Sequence, residues 1–343
     1  MEHSSNLLMI MIDLRQAFKN FNNKKIIIIG DLMIDAYNFG VVDRISPEAP
    51  VPILNVTEKD YRLGGAGNVA KNIKALGATP IMCSVIGNDE NAIILRSLLT
   101  VKNKISDKYV INAERITTSK TRMISSGQQL MRLDSEDTTP LTESLTRKFV
   151  AVIKEAIETE NPDAIIFEDY DKGVITPLLI NEITWCAGEK NIIITVDPKW
   201  RNFNEYKNVT LFKPNFKEFV EGTRSDVTKR EIDKTLAIAK QYCQDNNIEN
   251  ILITMSEYGV LIVNQDSDFH VLAEKRDISD VSGAGDTVIS TMTLCLAADI
   301  SINVSTQIAN IAGGLVCEKI GVVPIDKQQL LIECERLLFG NNA

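Results

Sequence analysis

The chain has 343 residues, 44% apolar and 24% charged, enough for one large α/β core with a small appendage. Lys plus Arg number 37 against 46 Asp plus Glu, and no dense basic run offsets that acidity, which excludes nucleic acid and anionic membrane as expected partners. Six scattered cysteines without a C-x-x-C pair, and only two histidines (His3 and His270), exclude a disulfide framework and an ordinary zinc site.

In chain order, the apolar run Leu7–Ile12 is cut by Asp13 and is too short for a signal-peptide core or a membrane span, so a cytoplasmic location is expected. Lys25–Gly30 (KIIIIG) is a β-branched run without alternation, as expected of a strand buried on both faces. Residues 37–62 carry Pro47, Pro50 and Pro52 among short apolar runs, and 110–134 alternate polar with apolar residues. Both read as extended segments outside the main sheet that together form a small β-lid. Helices are expected over 143–158, 177–189 and 229–245, between further buried strands at 164–167, 192–196 and 251–254. Three more helices are expected at 285–299, 303–319 and 326–339. Buried strands separated by helices predict an α/β fold with a mostly parallel sheet covered on both faces. No linker rich in Gly, Ser or Pro divides the chain, so 1–343 reads as one domain with its lid.

The sharpest motif is Asp280-Val281-Ser282-Gly283-Ala284-Gly285-Asp286, placed just before a helix. Small residues at a helix N-terminus let an anion approach backbone N–H groups, and the helix dipole favours negative charge there. An acidic residue at the same spot repels phosphate, so Asp286 suits a base that takes a proton from an attacking hydroxyl. A simple helix-capping aspartate fits equally well at this level.

Two further motifs are weaker alone. Gly64-Gly65-Ala66-Gly67-Asn68 leads into a helix that closes on Gly77, and fits either a tight turn or a close approach to a polar ligand bonded by Asn68. Gly30-Asp31 ends the first strand, with Asp35 four residues on, where α/β sheets bind ligands. A carboxylate there can accept hydrogen bonds from vicinal hydroxyls, or simply form a turn.

Together these residues resemble the ribokinase-like (PfkB) family of sugar kinases. GGAGNVAKNIKALG at 64–77 is similar to the family's first signature and DVSGAGDT at 280–287 to its second. Asn215-Phe216-Lys217-Glu218 resembles its N-x-x-E motif, and Thr254 to Gly259 stands at its nucleotide motif, with Ser256 where many relatives have glycine. Residues 30–56, above all RISPEAPVP at 44–52, together with QQLMRLD at 128–134, DYDKG at 169–173 and VDPKW at 196–200, resemble the heptose-phosphate kinases within the family.

The resemblance implies a ribokinase-like fold and phosphorylation of a sugar phosphate by ATP with Mg²⁺, and it allows a monovalent cation. Asp286 is then the base, with the N–H groups of Gly283, Ala284 and Gly285 as the anion hole. Asp31, Gly64, Gly65 and Asn68 are implied to hold the sugar. Asn215 and Glu218 would lie near the phosphates, with Glu218 reaching Mg²⁺ through water. Thr254, Ser256, Gly259 and Asn310 would line the nucleotide pocket. A sugar already phosphorylated needs basic residues at its far end; Arg44, Arg122, Arg132, Lys172 and Lys199 are candidates, with Arg44 and Lys172 preferred. A homodimer through the lid strands is expected. The chain ends at Ala343, which implies the stand-alone kinase form rather than a fusion to a nucleotidyltransferase. Two other readings stay open: a sister kinase acting on fructose, ribose or a hexose phosphate, and a non-catalytic sugar or nucleotide sensor. A dinucleotide enzyme lacks support, because Gly30 opens no G-x-G-x-x-G turn.

Overall fold

The computed structural model describes residues 14–340; the Leu7–Ile12 run and His3 lie outside them. A nine-stranded sheet has the order β13-β12-β11-β10-β9-β8-β1-β4-β5. Within it β1 (Lys25–Gly30) is flanked in parallel by β8 (Ala164–Glu168) and β4 (Thr79–Ile86). Beyond β8 run β9 (Ile193–Asp197), β10 (Leu211–Phe212) and β11 (Asn250–Thr254), all parallel. β12 (Val260–Asn264) runs antiparallel to both β11 and the edge strand β13 (Asp268–Val271).

The isoleucine run in β1 explains why the sheet is covered twice. Ile26 and Ile28 belong to one core, with Val69 and Ile73 of α1 (Ala66–Ala75), Met292 of α7 (Ala284–Ala297) and Ile308 of α8 (Ile302–Cys317). Ile27 and Ile29 point the other way, with Ile153 of α3 (Glu143–Glu160) and Ile183 of α4 (Pro177–Glu189). Side chains alternate across a strand, so an unbroken apolar run needs helices on both sides. All four isoleucines are fully buried, each contributing about 2 kcal/mol by removal of apolar area from water. The expected helices and strands are present within a few residues at their ends; further helices are α2 (Glu90–Ser97), α5 (Phe216–Thr223), α6 (Ile232–Asn246) and α9 (Lys327–Phe339), and residues 14–20 are helical too.

A second sheet of four strands, ordered β3-β2-β6-β7, holds the two segments expected to form a lid. It is built from β2 (Leu32–Ile45), β3 (Pro52–Gly65), β6 (Ser119–Ser125) and β7 (Gln128–Ser135). Its bounds differ from the expected ones in two ways. Tyr109–Asn112 is β5, the edge strand beside β4 in the main sheet, so the second lid segment starts at Ser119 rather than near 110. The first segment also begins and ends deeper, because β2 leaves β1 after Asp31 alone and β3 runs directly into α1. Among the described residues no helix is long and apolar enough to cross a membrane.

Candidate active site

The carboxyl ends of β1, β8, β9 and β10 meet the N-termini of α1 and α7, and the functional side chains collect there. Gly283 takes φ 80°, a left-handed value, and caps α7 at its start. A Cβ there would lie 2.9 Å from Asn68 Nδ2, so the position tolerates no side chain. Asp286, in the first turn of α7, is buried, and both of its oxygens are held. Asn68 Nδ2 donates to Oδ2 at 2.7 Å, and the Tyr170 hydroxyl donates to Oδ1 at 2.8 Å. Burial raises the proton affinity of this carboxylate above its ordinary value, although the Asn68 and Tyr170 bonds oppose the shift.

Asp286 is therefore no mere cap, since among the described residues its side chain is recorded bonding Asn68 and Tyr170 rather than the α7 backbone. Asn68 brings a second feature. Its Oδ1 is buried and has no hydrogen-bond partner among the described residues. Such an orphaned acceptor costs free energy until a donor arrives. Of the expected anion-hole amides, that of Ala284 donates weakly to Val281 O at 3.3 Å.

Behind Asp286 lies a group of acids and a lysine that sequence reasoning did not single out. Glu168 ends β8 and Asp197 ends β9, and with Asp286 each brings a carboxylate oxygen within 4.8 Å of the others. Both Glu168 oxygens are buried without a partner among the described residues. Burial, then the neighbouring Asp197 and Asp286 charges, pushes the Glu168 carboxyl well above the usual range. Lys213 Nζ pairs with Asp197 Oδ2 at 2.7 Å and stays protonated, because Asp197 and Glu218 outweigh its burial. The available signal was positional: DYDKG and VDPKW both follow buried strands, where α/β sheets place ligand groups.

Several expected residues take other roles. Asp31 is engaged by backbone donors. Its carboxylate accepts backbone N–H bonds from Tyr170 at 2.8 Å, Lys172 at 3.1 Å and Val174 at 3.2 Å, pinning the DYDKG turn. Asp35 takes the place beside the glycines instead: a Cβ on Gly64 would lie 2.4 Å from its Oδ2, while Arg122 Nη1 donates to its Oδ1 at 2.5 Å. Gly65 adopts φ 55° where β3 turns into α1, against Asp31 O. Arg44 is exposed near the outer end of β2, nine residues past Asp35, a span of about 30 Å at ~3.3 Å per residue. Lys172 pairs with Glu136 at 2.9 Å, Arg132 with Asp134 at 2.8 Å, and Lys199 with Glu218. Lys120, beside Arg122 on β6, is half-buried and forms no ion pair among the described residues.

The expected nucleotide side is assembled at the carboxyl ends of β10 and β11. Asn215 caps α5, accepting from Glu218 N at 2.9 Å, and Glu218 Oε2 accepts from Asn215 N at 2.9 Å, a capping box. Both Glu218 oxygens are thus engaged, by Asn215 and Lys199. Thr254 N donates to Pro214 O, joining the two motifs. Ser256 adopts φ 56° and Gly259 φ 80°, so serine keeps the left-handed turn that glycine favours in relatives. Asn310 Nδ2 donates to Leu272 O at 2.9 Å, fastening the end of β13 to α8.

Comparison with known proteins accounts for this constellation. The model of the pfkB family of carbohydrate kinases matches residues 23–328. The chain belongs to this family. As a pfkB carbohydrate kinase it is similar to the protein named Bifunctional protein HldE of Methylobacillus flagellatus, with 38% identity over 305 residues, 89% of this chain and 62% of that one. The HldE protein of Aliarcobacter butzleri is 39% identical over 320 residues, covering 93% of this chain and 66% of its own length. The chain thus spans roughly 62–66% of these relatives. Among solved structures, phosphofructokinase-2 from Escherichia coli in complex with potassium superposes with a TM-score of 0.74 at 20% identity, covering 91% of this chain and 99% of that one. Arabidopsis thaliana ribokinase with ribose and ATP gives 0.69 at 14% identity, covering 92% and 99%. These two pfkB-like likenesses establish the shared ribokinase-like fold.

Proposed function

We propose that the protein transfers the γ-phosphoryl group of ATP to the anomeric hydroxyl of D-glycero-β-D-manno-heptose 7-phosphate, giving the 1,7-bisphosphate for ADP-heptose synthesis. The observation that carries the transfer is Asp286, buried at the start of α7 with Asn68 and Tyr170 on its two oxygens. An acceptor hydroxyl arriving there donates its proton to Asp286 and lies within reach of the orphaned Asn68 Oδ1. The amides at the start of α7 face the phosphoryl group as its charge grows. The lid excludes water and so suppresses hydrolysis of ATP.

Mg²⁺ fits the residues present. Glu168 and Asp197 offer hard oxygen donors, and the unpartnered Glu168 oxygens are otherwise unexplained. When bound there, Mg²⁺ offsets charge on the phosphate oxygens. Asn215 and Glu218 support the phosphate side, and Thr254, Ser256, Gly259 and Asn310 the nucleotide.

The choice of sugar is supported by residues 30–56, RISPEAPVP above all, and by likeness to the HldE proteins. Asp35, Gly64, Gly65 and Asn68 form the sugar face. Lys120 and Arg122, adjacent on the cleft side of β6, meet the 7-phosphate in place of Arg44 and Lys172. A homodimer through the lid is supported by the exposed apolar residues Val41, Ile45, Leu130, Met131 and Leu133 on that sheet. A cytoplasmic setting suits a chain whose substrates are ATP and a sugar phosphate.

The test is a panel of heptose 7-phosphate, fructose, ribose and fructose 6-phosphate, scored by ADP release from the purified protein. Preference for heptose 7-phosphate is expected, and preference for an unphosphorylated sugar overturns the assignment.

A further inference from the structure

Tyr170 is fixed from every direction before its hydroxyl meets Asp286. Its backbone N–H is held by Asp31 Oδ2 at 2.8 Å, and the same carboxylate holds the N–H groups of Lys172 and Val174. Arg115 donates to Lys172 O in the same turn. Asp169 ties the turn to the core, accepting from Asp171 N at 2.9 Å, Asn202 Nδ2 at 2.9 Å and the Tyr206 hydroxyl at 3.2 Å. Two ammonium groups stand over the ring, Lys199 at 5.4 Å and Lys120 at 5.9 Å from its centroid. The resulting hydroxyl position leaves 2.8 Å to Asp286 Oδ1.

Rotation about the Cβ–Cγ bond moves both carboxylate oxygens, so a single hydrogen bond resists it alone. Held through both oxygens, by Asn68 and Tyr170, the Asp286 carboxylate turns only by breaking two buried hydrogen bonds. We propose that Tyr170 is a positioning residue: it locks the carboxylate plane of Asp286 so that an unused lone pair faces the incoming hydroxyl. The proposal rests on Asp286 being the base. It also gives the buried Asp31 a purpose, since that carboxylate orders the turn that delivers Tyr170.

The two roles separate kinetically. A positioning defect lowers kcat and leaves ground-state binding alone, because a displacement of order 1 Å at the reacting group costs on the order of 100-fold. Tyr170→Phe should lose about 10- to 100-fold in kcat with heptose 7-phosphate and ATP, both KM values staying within about twofold. Tyr170→Met, also without a donor, should show the same split. Asp286→Asn should lose more, and Tyr170→Phe combined with Asp286→Asn should be no slower than Asp286→Asn alone, since Tyr170 acts only through that carboxylate.

Melting temperature and calorimetric ATP binding confirm that each variant is folded. Unchanged kcat in both Tyr170 variants, a rise in sugar KM alone, or an additive loss in the double variant overturns the proposal. Full turnover by Asp286→Asn instead defeats the assignment of the base, a separate failure.

Discussion

Lys213 donates to Asp197 across 2.7 Å at the carboxyl end of the main sheet, and their side chains keep only 3% and 7% of their exposure. The pair lies against the start of α7, where a Cβ on Gly285 would be 3.6 Å from Lys213 Nζ and 3.7 Å from Asp197 Oδ2. A cation thus sits beside the amides that are proposed to receive the phosphoryl group.

Removing that cation alone leaves Asp197 buried next to Glu168 without its ion-pair partner. Lys213→Met should therefore cost about 3–5 kcal/mol in stability. The pair of substitutions Lys213→Met and Asp197→Leu should recover most of that loss, because no lone buried charge remains. Urea denaturation of the three variants measures both numbers. A double variant as unstable as Lys213→Met would show that the pair itself, and not the orphaned charge, supplies the stability.

Asp31 and Asp35 stand four residues apart but should fail differently. Asp31→Ala strips the acceptor from three backbone N–H groups, at about 1–3 kcal/mol for each one left buried without a partner. Its main defect should be a lowered denaturation midpoint. Asp35→Ala, beside Gly64 in the cleft, should fold normally and raise the sugar KM about 10- to 100-fold, the range of one charged hydrogen bond. Its KM for ATP should not change. Steady-state kinetics and urea melts on both variants decide the assignment.

The N-cap of α2 supplies a pH-dependent test away from the site. Burial alone would raise the Asp89 carboxyl, yet N–H bonds from Thr117 and Ala92 outweigh it and hold it below the ordinary carboxylate range. A depressed value in the folded state means stability that is complete above the unfolded value and is lost as pH falls through the folded one. Asp89→Ala should cost about 1–2 kcal/mol at neutral pH, and the gap from the parent should narrow below about pH 4. Equal penalties at neutral and acid pH would contradict the charged cap.

The fold was legible because parallel strands buried on both faces write their burial directly as apolar runs, and Lys25–Gly30 needed no tertiary knowledge to place. The strand at 109–112 misled because a four-residue edge strand, buried only over Tyr109 and Val110, is too short for periodicity to tell the main sheet from the lid. The acids at strand ends posed a harder problem. Asp31 and Asp35 both follow β1, and only the course of the DYDKG turn, distant in sequence, decides which carboxylate is consumed by backbone donors. Tyr170 was hidden for a related reason: a tyrosine after a buried strand has the same local pattern whether it packs in the core or aims at Asp286. Arg44 lies in the lid, as expected, but the sequence alone does not show how far an extended strand carries it from Asp35.

The lid has no stalk of its own. β2 departs from β1 across Asp31 alone, and β3 passes without a loop into the helix that carries Asn68. Its tip is consequently the long arm of a lever whose short arm is the sugar face itself. Tilting the outer strands moves Gly64, Gly65 and the first turn of α1 together, and with them the amide that grips Asp286. A load applied far out on the lid, such as the proposed second copy, would thus be transmitted to the proposed base, Asp286.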